Sequence, residues 1–209
     1  MKTALLALAA AMPVMAGTYT VTEPVNPYSL ELGVGYNFAA RDLLKLRDGH
    51  GPKVDTVGVD LTGVYAVNDR SSFNLRFGFS SGSDDVRYSD NYHADFRVNT
   101  FFLMPGYRYT HSMGEYLSAF IGANVGVVNQ SIKLKLREGE DTYRPHGSEY
   151  GFAYSAEAGF RYEISRHFDV FLAYQFFGST AQPGFNNESA SGIRSQLYHS
   201  VRAGLSFDF

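Results

Sequence analysis

Eight separate stretches of this chain alternate apolar and less apolar side chains with a period of two. The first holds the pattern over eleven positions. Tyr28, Leu30, Leu32, Val34, Tyr36 and Phe38 share one face, and Ser29, Glu31, Gly33, Gly35 and Asn37 share the other. Successive side chains of a strand point to opposite faces, so this segment is a strand with one oily side. It exceeds the roughly 5–6 residues of an ordinary soluble strand. It matches the ~9–11 tilted residues that cross a bilayer.

The pattern recurs. Val57, Val59, Leu61, Tyr65 and Val67 form a second apolar row, and Phe73, Leu75, Phe77 and Phe79 a third. In the fourth, Phe96 and Val98 are out of phase with Phe101, Leu103, Tyr107 and Tyr109. A β-bulge near Asn99 is expected there, because one extra residue exchanges the faces. Rows over 117–127, 152–162, 168–176 and 197–209 complete the eight. Tight polar connections at 68–71, 110–114 and 165–167 alternate with long ones at 39–53, 82–94, 136–150 and 179–194. Short turns on one side of a membrane and long loops on the other are the layout of a transmembrane barrel. In hydrocarbon every backbone N–H and C=O must find a partner within the protein, so the sheet has to close. The expected fold is all-β, a closed antiparallel eight-stranded transmembrane β-barrel over residues 28–209.

The N-terminus reads as an export signal. Met1-Lys2-Thr3 is a short basic region, Ala4 to Met12 is apolar, and Val14-Met15-Ala16 resembles a small-residue cleavage site. This predicts a signal peptide over 1–16, then a periplasmic lead-in over 17–27 containing Pro24 and Pro27. Mean hydropathy is −0.19, and past the N-terminus no run reaches the ~18 apolar residues a spanning helix needs. The 15 Tyr, 17 Phe and 21 Gly favour strands. A formal net charge of −3 with no basic patch argues against a nucleic-acid partner. The chain has no cysteine, which excludes disulfides, a catalytic thiol and thiolate metal sites.

The less apolar face tells which side is inside. It is rich in glycine, as a narrow interior requires, and it carries Glu31, Asp60, Glu157, Arg76, Arg161 and Arg202 near mid-strand. Three acids and three bases buried together are expected to pair, because an unpaired buried charge is costly. These six are the predicted interior charge cluster, closing the lumen to ions. Tyr116, Phe120 and Tyr198 are expected to fill the lumen with them. Tyr28, Phe38, Tyr65, Phe73, Tyr162, Phe168 and Phe176 crowd the strand ends, as interfacial girdles do.

The terminal run Val201-Arg202-Ala203-Gly204-Leu205-Ser206-Phe207-Asp208-Phe209 resembles the last strand of bacterial outer-membrane proteins. That resemblance implies that Phe207 and Phe209 serve as the signal read by the barrel-assembly machinery. From Tyr28 to Phe209 the chain is similar to the small eight-stranded barrels grouped as OmpA-type membrane domains, OmpX/Ail-like proteins and opacity-type proteins. It stops at its last barrel strand, without the peptidoglycan-binding domain of full-length OmpA, so no cell-wall anchoring is expected. The resemblance implies residence among outer-membrane lipids and a structural or surface-contact role, with a host or surface ligand at the outer loops. A lipid A-modifying enzyme and a narrow pore are the alternatives. His199 and Ser200 are adjacent and point apart, a poor dyad. No catalytic, cofactor or metal site is expected, and the acidic stretches Glu138-Gly139-Glu140-Asp141 and Asp84-Asp85 read as solvated loop.

Overall fold

Period-two segments with an oily face can satisfy their backbone only by pairing side by side, and here they do so in sequence order. The structure, a computed structural model, describes residues 27–40, 42–43, 52–89, 92–138, 141–184 and 195–209. The expected signal peptide, and all of the 17–27 segment except Pro27, lie outside the described residues. The strands are β1 (Tyr28–Ala39), β2 (Thr56–Asn68), β3 (Ser71–Ser89), β4 (Tyr92–Ser112), β5 (Leu117–Glu138), β6 (Asp141–Tyr143), β7 (His146–Ser165), β8 (Phe168–Ser179) and β9 (Leu197–Asp208). All pairings are antiparallel. β1 pairs with both β2 and β9, and β4 with β5, so eight strands close into a barrel while β6 pairs only with the upper end of β5. Closure leaves the barrel no free edge in the membrane.

The oily rows face out. Leu32, Leu61 and Leu172 are 50%, 44% and 55% exposed. Aromatic pairs ring the end near the tight turns, among them Tyr28–Tyr65, Phe73–Tyr107 and Phe168–Phe207 with centroids 5.4, 5.8 and 5.2 Å apart. The other end has Tyr36–Phe38 and Phe79–Phe101, at 4.7 and 4.6 Å. The turns close locally: the Asn68 side-chain oxygen accepts from the backbone N–H of Arg70 and of Ser71, each at 2.9 Å. At the terminus, the N–H of Phe209 donates to the carbonyl of Tyr28 at 2.9 Å, stitching the last residue to the first strand.

Three expectations are corrected. The bulge near Asn99 is absent: β4 pairs with β3 without a shift from Tyr109 up to His93. Phe96 and Val98 therefore point inward, where they are buried with Leu43, Val54, Ala94 and Ile132. The segments 82–94 and 136–150 are mostly strand rather than loop, because β3, β4, β5 and β7 run on past the oily band. Tyr116 sits exposed in the turn before β5, against Tyr162, and does not enter the lumen.

The first two corrections share one cause. Outward residues of β5 are apolar from Leu117 to Val127 and then become Asn129, Ser131, Lys133 and Lys135. Its inward residues change the opposite way, to Val128, Ile132, Leu134 and Leu136. β4 inverts at the same level, with Phe101 outward below Asn99 and Arg97. The strands leave lipid there and enter water, so the oily face must turn inward to stay buried. The β1–β2 connection supplies the other side of that upper core. Leu43 and Val54 are buried in it, the Leu43 N–H donates to Pro52 O at 2.8 Å, and the Ala39 N–H donates to Asp55 Oδ1 at 2.7 Å.

Candidate functional site

Charged side chains of the inward phase meet in the middle of the lumen. Glu31 comes from β1, Asp60 from β2, Arg76 from β3, Glu157 and Arg161 from β7 and Arg202 from β9. Arg202 donates from Nε to Asp60 Oδ2 at 3.0 Å and from Nη1 to Glu157 Oε2 at 2.9 Å, and its Nη2 also binds Asp60 Oδ1. Arg76 Nη2 donates to Glu157 Oε2 at 2.5 Å, and its Nε lies 3.7 Å from Asp60 Oδ1. Arg161 pairs with Glu31. Glycine makes the space: a Cβ on Gly33 would stand 2.8 Å from Arg202 Nη2 and 2.9 Å from Asp60 Oδ2. The stagger of tilted strands carries Arg76 up to the Asp60–Glu157–Arg202 group, although it starts only a few residues above its own turn.

Two members went unrecognised in the sequence. Arg108 of β4 donates from Nη1 and Nη2 to the two oxygens of Glu31, at 2.5 and 2.9 Å, and from Nη2 to Glu157 Oε1 at 3.1 Å. It is the link that joins the Glu31–Arg161 pair to the rest. The signal for it was its position between the outward Tyr107 and Tyr109, and its room comes from Gly122, which pairs with Arg108 on one side and Glu157 on the other. Asp169 of β8 lies 3.6 Å from Arg161 Nη1 and balances the count. Four acids, Glu31, Asp60, Glu157 and Asp169, then face four guanidiniums, Arg76, Arg108, Arg161 and Arg202, all within the wall of one barrel. Bidentate guanidinium–carboxylate contacts of this kind are strong and geometrically specific.

Rings flank the network. Arg108 lies over the Phe120 ring at 4.6 Å and Arg202 over Phe171 at 5.5 Å. Above it is a cavity of about 30 Å³, bounded in part by Asn37, Thr100, Gln175 and Tyr198. Higher still, Met104, Val128, Ala153, Phe177 and Tyr198 close an apolar layer beneath the upper core. Several buried polar atoms near the cavity, including Thr100 Oγ1, Gln175 Nε2 and Tyr198 OH, have no protein partner among the described residues. Such groups are ordinarily satisfied by internal water.

The remaining candidates lie apart. His199 faces outward and its Nδ1 meets the Tyr174 hydroxyl, whereas Ser200 faces inward and donates to Asn37 Oδ1 at 2.5 Å. Phe207 and Phe209 stand on the outer face at the turn end, 43% and 68% exposed.

A family model described as outer membrane protein beta-barrel domain matches residues 3–209. Among solved structures, neisserial surface protein A has a TM-score of 0.55 at 11% identity, covering 90% of this chain and 100% of that one. OprG, an outer membrane protein of Pseudomonas aeruginosa, has 0.53 at 14%, covering 88% and 96%. The outer membrane protease OmpT of Escherichia coli has 0.51 at 9%, covering 92% and 99%. At these identities the likeness is one of fold. No curated protein matches the chain.

Proposed function

Since the chain belongs to the outer membrane β-barrel family, and so to the bacterial outer membrane, we propose that it is a closed, non-enzymatic barrel whose extracellular extension contacts a surface ligand. Residues 1–16 direct export, and Phe207 and Phe209 present the last strand to the assembly machinery. The observation that carries the proposal is the length of β4 and β5, 21 and 22 residues, about twice what a bilayer needs. Their upper halves form a walled extension with its own apolar core, a rigid platform of the sort on which recognition surfaces are carried. The guanidinium–carboxylate network and the apolar layer above it favour a lumen shut to ions over a narrow pore.

Two measurements test this. Replacing residues 84–95 and 131–147 by short turns should leave a heat-modifiable, membrane-inserted barrel while abolishing attachment of expressing cells to matrix-coated surfaces. Unchanged attachment would remove the surface-contact role. In planar bilayers the intact protein should show no steady single-channel conductance, and a stable conductance would favour the pore.

A further inference from the structure

The outward face of the extension carries a row of cations. Arg97 of β4 pairs in register with Lys133 of β5, and Lys133 with His146 of β7. One step higher, Lys135 stands opposite Asp95. Arg144 lies beside them in the connection between β6 and β7. Among the described residues, no ion pair engages Arg97, Lys133, Lys135 or Arg144. The nearby acids count against them only in part: Asp95 is held by His93 at 3.0 Å, Asp85 stands opposite it in the upper row rather than the lower one, and Asp84 takes the other phase, opposite Phe96. These four cations and His146 line a groove of about 830 Å³, whose wall also includes Asp84, Asp85 and Asp95.

Position identifies what this row meets. Arg97 and Lys133 occupy the same outward phase as Phe101, Leu103, Val125 and Val127, which face lipid further down the same strands. Arg97 is four residues above Phe101, about 13 Å along the strand. Barrel strands tilt by roughly 35–45°, so the height above the oily band is on the order of 10 Å. The guanidinium and ammonium groups thus point sideways over the headgroup layer rather than up toward the medium. We propose that this groove binds the phosphorylated sugar headgroup of an outer-leaflet glycolipid, with Arg97 and Lys133 on phosphate and Lys135 and Arg144 at the upper edge. Guanidinium suits a phosphate through its planar fork, and the ammonium supplies a point charge.

The test uses the full-length folded protein in detergent micelles, with native mass spectrometry and a fluorescence-polarisation titration of a bisphosphorylated lipid A-type glycolipid. Each cation near an anionic lipid surface contributes about a five-fold factor, so Arg97→Gln with Lys133→Gln should weaken binding about 25-fold. Arg166→Gln, in the β7–β8 turn at the opposite end, should not. Heat-modifiable migration checks that each variant is folded, and Lys135→Gln with Arg144→Gln gives a second, independent loss if the first pair disturbs the sheet. The dephosphorylated glycolipid should fail to bind, and millimolar inorganic phosphate should fail to displace the lipid. Equal affinity of wild type and both double variants would overturn the proposal. So would displacement by inorganic phosphate, which marks a free-anion site, or preferential binding of a soluble sulfated polysaccharide over the glycolipid.

Discussion

Replacing Arg108 by Met tests whether the lumen charges act as one network. Met approximates the length of the arginine stem, so packing against Phe120 is largely kept while the guanidinium is lost. The structure then leaves two carboxylates with unequal compensation. Glu157 retains Arg76 and Arg202, whereas Glu31 retains only Arg161, whose side chain is 20% exposed. Four acids would face three bases in a space that holds little water. Breaking a buried ion pair from one side typically costs 3–5 kcal/mol. Because Glu157 stays paired, the lower end applies, and the expected loss is about 3 kcal/mol. The chain contains no Trp, so unfolding in urea is best followed by circular dichroism of protein reconstituted in lipid vesicles. Adding Glu31→Gln removes the orphaned charge and should recover part of the loss, giving a coupling energy above the ~1 kcal/mol typical of exposed pairs. A loss below ~1 kcal/mol for the single variant, or additive effects in the double, would refute the network argument.

Three further outcomes follow from the same geometry. Arg at Leu32, Leu61 or Leu172, each on the lipid face at mid-strand, should destabilise the barrel by about 2–4 kcal/mol in the same urea assay, and three unchanged variants would reverse the assignment of faces. Deleting Phe209, or changing it to Ser, should leave export intact but reduce the assembled protein at the cell surface, read by surface labelling against the periplasmic pool; normal surface levels would separate the terminal aromatic from assembly. Ile132→Ala opens a cavity in the upper core, where such truncations cost about 2–5 kcal/mol when the site cannot collapse. Limited proteolysis should then cut the extension while the heat-modifiable barrel persists, whereas loss of both together would show that the two halves unfold as one.

How far the fold was legible depends on which solvent each residue faces. Below Val127 and Phe101 the alternation has one meaning, oily side to lipid, and eight repetitions of it with alternating loop lengths specify strand number, closure and orientation. The same rule carried past Phe101 misreads β4: Phe96 and Val98 look like lipid-facing residues slipped by one, and a bulge was the only way to keep them outside. In water they are ordinary core residues. Nothing local distinguishes the two cases, because a period-two pattern states which residues share a face and not what that face touches. Six of the lumen charges were read as a set by phase alone; Arg108, between two outward tyrosines, and Asp169 carried the same phase signal and were missed. The pairing among them was not legible, since it depends on stagger between strands that are far apart in sequence. Tyr116 shows a different limit: phase counted into a turn has no meaning, because the backbone there is no longer extended.

The inversion also explains why the extension needs the barrel beneath it. A two-stranded hairpin is marginal in water by itself, and the upper β3–β4 pair is such a hairpin unless something covers its inner side. Ala94, Phe96 and Val98 are covered because β5 continues beside β4 and because Leu43 and Val54 fold in from the β1–β2 connection. Both supports start from strands whose heights are set in the membrane, where backbone pairing cannot be given up. The lower half thus fixes register, and the upper half uses that register to build a dry core above the headgroups. A platform held in this way presents Arg97, Lys133 and their neighbours from a fixed backbone, so that binding has only their side chains left to order. The charge network serves the same end from inside, tying β1, β2, β3, β4, β7, β8 and β9 together so that strain at the outer end is resisted across the barrel wall.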